Sequence, residues 1–425
     1  MMQAMERLGT SEQKDYLTAK EARGLLNIRA QTLYAYVTRG WIHSISQPGQ
    51  KERLYLRADI EKVRLRSRAH AGQAAVAASA MNYGEPIMGT AVTEITPDGH
   101  KYRGQPAEKL VLTGAAFETV SEFIWSGLWH ETALRWPVDA IPVEVRKVTK
   151  SLGPLRSNDQ LIEVLALVTL TLGVSQGGVA ERIRSGRTIQ AGRQLIQTLV
   201  GCFGYISRHK RFVPMRDGES VVDGLVRSLV LDDTDENRQA LRTFLILFAD
   251  HELSPGAFVA RVAASSGATL HSCVAAAICT MSGVGIGRSH DRVEELFAAG
   301  NTKAALLAAA QRMEAKGIAV PGFTHPLYPK GDPRSRQLIE LIKQRRNQPK
   351  RLQAIYGFID EADSKLGLKP RHELGVVATA IAMDLPKYTA GSLFALARTA
   401  GLVAHVQEQR LTSMLLRPRA RFVAD

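Results

Sequence analysis

The sequence predicts a mainly α-helical protein with a small basic unit at its N-terminus. From about residue 87 onward, apolar residues recur at three- and four-residue spacing in successive segments, with Pro or Gly between them. Strands do not alternate with helices and no Gly-rich loop follows a strand, so dinucleotide-binding and P-loop folds are not expected. Residues 1–70 hold 13 Lys and Arg against 7 Asp and Glu, within a chain of 425 residues and formal net charge +14. Positive charge concentrated on a short unit points to nucleic acid.

The length implies two or three domains, and 45% apolar residues are enough to bury a large core. The most apolar window, residues 161–174, is interrupted by Glu163 and is shorter than the ~20 residues of a membrane span. No secretory n-region and h-region opens the sequence, so no membrane partner is expected. Cys202, Cys273 and Cys279 match neither zinc spacing nor a disulfide framework and point to a reducing cytoplasm. No His/Cys/Asp cluster has metal-ligand spacing, so no metal is expected.

In the N-terminal unit, Thr18 with Glu21 is a capping-box signature that opens a helix with apolar positions Ala22, Leu25 and Leu26. A break at Asn27-Ile28 leads to a second helix over 29–38, stopped by Gly40. Leu33 and Val37 share one face of it, leaving Arg29, Gln31 and Thr32 to face outward. Two short helices with a tight turn are the helix-turn-helix layout, whose second helix enters the major groove. Trp41-Ile42 begins an extended segment that turns at Gln47-Pro-Gly-Gln50 and returns through Arg53-Leu-Tyr55, a hairpin or wing. Residues 59–63 start one more helix. Residues 68–80, rich in Ala, Gly, Gln and Ser, read as a linker or a connecting helix.

The order Tyr16-Leu-Thr-Ala-Lys-Glu-Ala, Thr32-Leu-Tyr-Ala-Tyr, Arg39-Gly-Trp-Ile and Arg53-Leu-Tyr55 resembles the winged helix-turn-helix of MerR-type and excisionase-type DNA-binding domains. The resemblance covers residues 1–68 and implies DNA as a partner, with Arg29, Gln31, Thr32 and Arg53 as the contacting residues. A linker over 69–86 separates this unit from the rest.

Residues 90–103 alternate around a Pro-Asp-Gly turn and predict a small hairpin. Helices are expected over 117–128, 160–172, 191–203, 236–247 and 376–383. Between the last two, residues 320–334 (Val-Pro-Gly-Phe-Thr-His-Pro-Leu-Tyr-Pro-Lys-Gly-Asp-Pro-Arg) place His325 in a loop held by turn residues, with Arg334 close behind. A histidine that can donate to a carbonyl beside an arginine that can clamp a carboxylate suits a keto acid.

Residues 87–425 are similar to citrate synthase. The marks occur in family order: Tyr102-Arg-Gly104, Ala249-Asp-His-Glu-Leu253, Gly322-Phe-Thr-His-Pro-Leu-Tyr with Asp332-Pro-Arg, Phe394-Ala-Leu-Ala-Arg-Thr-Ala-Gly401, Ala404-His405 with Glu408-Gln409, and Arg417-Pro-Arg419. Chains joining such a domain to an N-terminal helix-turn-helix form a branch of that family. The resemblance implies a two-domain helical fold, with a small domain at roughly 285–378 inserted in the large one, and a homodimer. It also implies the reaction: an acyl-CoA, acetyl- or propionyl-CoA, is deprotonated at its α-carbon, adds to the ketone of oxaloacetate, and the thioester is hydrolysed to free CoA. No permanently bound cofactor is implied.

Such chemistry needs a carboxylate base, a donor to the enolate oxygen, a donor to the ketone and cations for the dicarboxylate. The resemblance assigns His325 to the ketone and His251 to the keto acid. Arg334 and Arg398 fall on the two carboxylate-binding arginines, and Arg417 on the one lent by the partner subunit. The family's Pro-Asn-(apolar)-Asp run aligns with Pro370-Arg-His-Glu373, making Glu373 the base. The family's Gly-Pro-Leu-His-Gly-Gly-Ala-Asn-Glu loop aligns without a gap with residues 283–291, which puts Ile286 where an enolate-stabilising histidine should stand. Losing one such donor costs ~2.7–4 kcal/mol. Arg288 and His290 lie within a turn of that place, and His290 is read as the cap of a helix over 291–299. Three functions fit: a citrate-synthase-type acyltransferase, a degenerate domain that senses a metabolite and regulates DNA binding, and a CoA-thioester hydrolase.

Overall fold

The structure is a computed structural model that describes residues 16–26, 28–38, 41–46, 53–57, 59–61, 63, 88–177, 188–412 and 414–418. Two compact units emerge. One gathers the residues up to Gly89 with Leu307–Val320, and the other holds Thr90–Leu306 with Pro321–Asp425.

In the first unit, β1 (Tyr16–Thr18) leads into α1 (Ala19–Leu26), α2 (Ala30–Thr38), β2 (Ser44–Ser46) and β3 (Arg53–Leu56). The strands form an antiparallel sheet in the order β1-β3-β2, with Tyr16 opposite Leu56 and Ser44 opposite Tyr55. Thr18 and Glu21 form the expected reciprocal pair: the Glu21 backbone N–H donates to Thr18 Oγ1 at 3.3 Å and the Thr18 N–H to Glu21 Oε2 at 2.8 Å. Leu17, Ala22, Leu33, Ile42, Tyr55, Ile60 and Val63 make the core. Leu25, expected on the apolar face, is exposed instead. The turn at Gln47–Gln50 and the linker over 69–86 lie outside the described residues.

The second unit opens with the predicted hairpin, β4 (Thr93–Thr96) and β5 (Gly99–Tyr102), in register Thr93 to Tyr102, with β6 (Gln105–Pro106) beside β5. Helices follow: α3 (Ala107–Leu112), α4 (Phe117–Ser126), α5 (Val143–Leu152), α6 (Leu161–Val174), α7 (Thr188–Cys202), α8 (Val221–Leu229), α9 (Asp235–Leu247), α10 (Pro255–Ser265) and α11 (Leu270–Met281). After them in the chain come α12 (Ser289–Ala298), α13 (Lys303–Ala315), α14 (Pro333–Lys343), α15 (Lys350–Leu366), α16 (His372–Ala382) and α17 (Ala390–Thr412). Of these, α13 belongs to the first unit from Leu307 onward. Apolar periodicity located most of the expected helices to within a few residues. α16 begins four residues before the expected 376, because its first turn is polar.

The long helix α17 organises the second unit. It packs against α4, α7, α9, α10, α11 and α12, so its residues from Ala390 to Val406 are buried on every face. Small residues permit that closeness. A side chain at Gly401 would run into the Asp250 carboxylate and the Ala249 carbonyl. No described helix is long and apolar enough to cross a membrane.

Candidate active site

Three short segments and one helix build a buried polar cluster. The first is the turn after α9. Asp250 is wholly buried, its Oδ2 accepting from the Thr93 hydroxyl at 2.5 Å and from the Glu252 N–H at 3.1 Å, with His405 Nε2 at 3.2 Å. This anchor fixes the next residue, His251, whose Nε2 lies 2.9 Å from the Tyr328 hydroxyl. Burial first, then Arg334 and Arg398, hold His251 well below its ordinary pKa, so the ring is neutral.

The second segment is the loop before α14. Gly322 has φ +82°, and a Cβ there would meet Leu374 at 2.7 Å, so only glycine fits. Two backbone bonds tie the loop to the chain preceding α16: Thr324 N–H to Lys369 O at 2.7 Å and Arg371 N–H to Gly322 O at 2.8 Å. His325 is thereby set opposite the start of α16. The Leu327 N–H donates to His325 Nδ1 at 3.1 Å. An Nδ1 that accepts must carry no proton, so the neutral ring bears its hydrogen on Nε2. Burial, then Arg371, His372 and Arg334, lower its pKa to about 3, which keeps the ring neutral through the neutral range. Thr324 (φ 60°) and Glu252 (φ 54°) are non-glycine residues in the left-handed region, each adjacent to one of these histidines. Strain of order 1–3 kcal/mol is commonly stored at such places.

The loop ends at Asp332, which caps α14 by accepting the Arg334 N–H at 3.0 Å, with Pro333 at the first helical position. The same carboxylate takes Arg334 Nε at 2.9 Å and Nη2 at 2.6 Å. Arg334 Nη1 is buried without a hydrogen-bond partner. Its guanidinium lies 5.2 Å from the Phe248 ring centre. On α17, Arg398 is equally buried, and both its Nε and its Nη1 lack partners. Burial, partly offset by Asp250 and reinforced by Arg334, brings Arg398 down to about 10, so it stays a cation. Both buried guanidiniums thus keep N–H donors that no protein group uses, the arrangement that charge-assisted binding of an anion requires.

The third segment is the start of α16. Glu373 is 1% exposed. Its Oε1 pairs with Arg371 Nη2 at 2.7 Å, and its Oε2 is buried without a hydrogen-bond partner, with His372 Nδ1 at 3.4 Å. Burial would raise its pKa, but His372, Arg371 and His290 together hold it well below the carboxylate range.

The expected roles of the residues after α11 change. Arg288 is tied outward, its Nη1 2.6 Å from Asp159 and its Nη2 3.3 Å from Glu163. His290 does not cap the following helix. α12 already starts at Ser289, and His290 is turned inward, 1% exposed, with its ring 5.1 Å from Phe394 and 5.6 Å from His372. Its Nδ1 lies 3.1 Å from the Gly287 carbonyl and its Nε2 has no hydrogen-bond partner. The sequence signal that could have found it is its place one turn beyond Ile286, on the inward face of α12. The Ile286 side chain offers no polar atom.

Thus His251, His325, Arg334, Arg398 and Glu373 share one cluster, linked through Tyr328, Phe248, His372 and Phe394. Arg417 does not join it: it is exposed on the segment after α17. In the first unit Arg29, Gln31 and Arg53 are exposed and Thr32 is half-buried. No group of His, Cys, Asp and Glu among the described residues could hold a metal ion.

Sequence and fold both match known proteins. The family described as "Citrate synthase, C-terminal domain" matches residues 82–419. The chain belongs to the citrate synthase family. It is 28% identical to citrate synthase 2 of Bacillus subtilis over 231 residues, 53% of this chain and 61% of that one. With 2-methylcitrate synthase 2 of Corynebacterium glutamicum it shares 24% identity over 364 residues, covering 80% of this chain and 93% of the relative. The Bacillus alignment therefore spans less than two thirds of that protein, whereas the Corynebacterium one spans nearly all. Among solved structures, citrate synthase of Thermoplasma acidophilum in ternary complex with carboxymethyl coenzyme A and oxaloacetate matches with a TM-score of 0.63. It is 19% identical, and the match covers 80% of this chain and 94% of that one.

Proposed function

We propose that the second unit condenses an acyl-CoA, acetyl- or propionyl-CoA, with oxaloacetate. The observation that carries this is the pair of buried guanidiniums, Arg334 and Arg398, with unused N–H donors beside a neutral His325 whose proton is on Nε2. In this reading the arginines and His251 hold the keto acid, and His325 donates to its ketone oxygen. Glu373 removes the α-proton of the thioester. The resulting carbanion forms the new carbon–carbon bond, the ketone oxygen is protonated, and water then cleaves the C–S bond to release CoA. Arg417, exposed beyond the end of α17, would complete a second copy's site in a homodimer.

Calorimetry and a CoA-release assay on the purified full chain test this together. Oxaloacetate should bind without acyl-CoA, and CoA release should depend on oxaloacetate. Oxaloacetate binding with no CoA release from either donor would contradict the enzyme and favour a metabolite sensor.

We also propose that the first unit binds DNA through the exposed Arg29 and Gln31 at the start of α2. Arg29→Ala should weaken binding to the DNA upstream of the protein's own coding sequence several-fold at fixed salt. Unchanged affinity would count against groove contact by α2.

A further inference from the structure

We propose that Arg371 is a positioning residue that allows a glutamate to serve as the base: its guanidinium pins one carboxylate oxygen of Glu373 and leaves the other to take the proton. The proposal rests on the reading of Glu373 as the proton acceptor. In the run that aligns with Pro-Asn-(apolar)-Asp, this chain has both a longer acid and an arginine two residues before it. A glutamate carries one more rotatable bond than an aspartate, and an unanchored arm spreads its oxygens over several rotamers. The structure shows the anchor. Arg371 Nη2 lies 2.7 Å from Glu373 Oε1, whereas Oε2 is buried without a hydrogen-bond partner.

Arg371 is itself held. Its backbone N–H donates to the Gly322 carbonyl at 2.8 Å, and it occupies the N-cap of α16 without using its side chain as a cap. The guanidinium is therefore available for Glu373, and the Arg371 backbone is tied to the same loop that presents His325. The charged or titratable groups that face Glu373 are Arg371 and His372 from its own end of α16 and His290 from α12. Together they keep the carboxylate ionised, and the Arg371 pair also weakens it as a base. Arg371 thus trades basicity for position.

The test is steady-state CoA release by the full-length protein with oxaloacetate, across pH, in Arg371→Asn, Arg371→Lys, Glu373→Asp and the Arg371→Asn/Glu373→Asp double variant. Arg371→Asn should lower kcat about ten- to a hundredfold, the cost of an ångström-scale misplacement. The KM for oxaloacetate should stay within about twofold, because Arg334 and Arg398 are untouched. The acid limb of the kcat profile should move up toward the ordinary glutamate value of about 4.3. Arg371→Lys should keep most of the rate, since an ammonium can hold the same oxygen. In the Glu373→Asp background, the Arg371→Asn change should cost clearly less, because a shorter arm needs less pinning.

An unchanged kcat and acid limb in Arg371→Asn would overturn the proposal. So would an equal loss in both backgrounds, which would assign Arg371 to structure alone. Absence of CoA release in the wild type is a separate outcome: it removes the reading of Glu373 as a base and this inference with it.

Discussion

Arg334 and Arg398 are both buried cations, yet their surroundings predict opposite responses to removal. Arg334 shares two hydrogen bonds with the buried Asp332, so Arg334→Met would strand a carboxylate and cost about 3–5 kcal/mol of stability. Arg398 has two buried donors unused. Arg398→Met should therefore leave thermal stability unchanged or raised, while weakening oxaloacetate about ten- to a hundredfold through loss of a charged hydrogen-bond set. Thermal melts and calorimetry on the two variants check both statements. A marked loss of stability in Arg398→Met would show that the guanidinium is structural. The sequence led us to expect both residues as carboxylate clamps, but it did not show their different internal partners. Asp332 was visible as a turn residue and as part of a family mark, but nothing local showed that its carboxylate would serve both the helix cap and the arginine.

At the scale of elements, the start of α12 shows why local pattern fell short. A helix was expected over 291–299, and the structure has one that begins two residues earlier, at Ser289. What the pattern missed is that His290 is packed inside, because its neighbours Phe394 and His372 come from α17 and α16, distant in sequence. The same turn carries Asp291, whose pKa is raised to about 7 by burial, against Arg288 and with Glu294, Asp159 and Glu295 adding to the rise. A carboxyl whose folded pKa lies above its unfolded value of about 3.9 binds a proton more tightly when folded, so its contribution to stability is lost as pH rises from about 4 to about 7. Asp291→Asn should accordingly stabilise the protein at about pH 8 and change it little at about pH 4, as read by melting temperature. Equal effects at both pH values would contradict the shift. The hairpin β4–β5 was legible from its turn, whereas the first turn of α16 was not, because Arg371, His372 and Glu373 supply no apolar repeat. That polar turn is where the proposed chemistry sits.

For the whole molecule, the helical class followed from periodicity because long amphipathic segments carry their own signal. The assembly of the site did not, since it depends on α17 being buried on all sides and on the ladder between residues 322–324 and 369–371. The two departures from the family's pattern are Glu373, inside this cluster, and Ile286, on the segment before α12, and they decide between an acyltransferase, a sensor and a thioester hydrolase. The most direct measurement is the ratio of CoA released to tricarboxylate formed when the full chain is given oxaloacetate with acetyl- or propionyl-CoA. One tricarboxylate for each CoA is the expected result, with release strictly dependent on oxaloacetate. CoA release without a tricarboxylate, or no release while oxaloacetate binds, would contradict an acyltransferase.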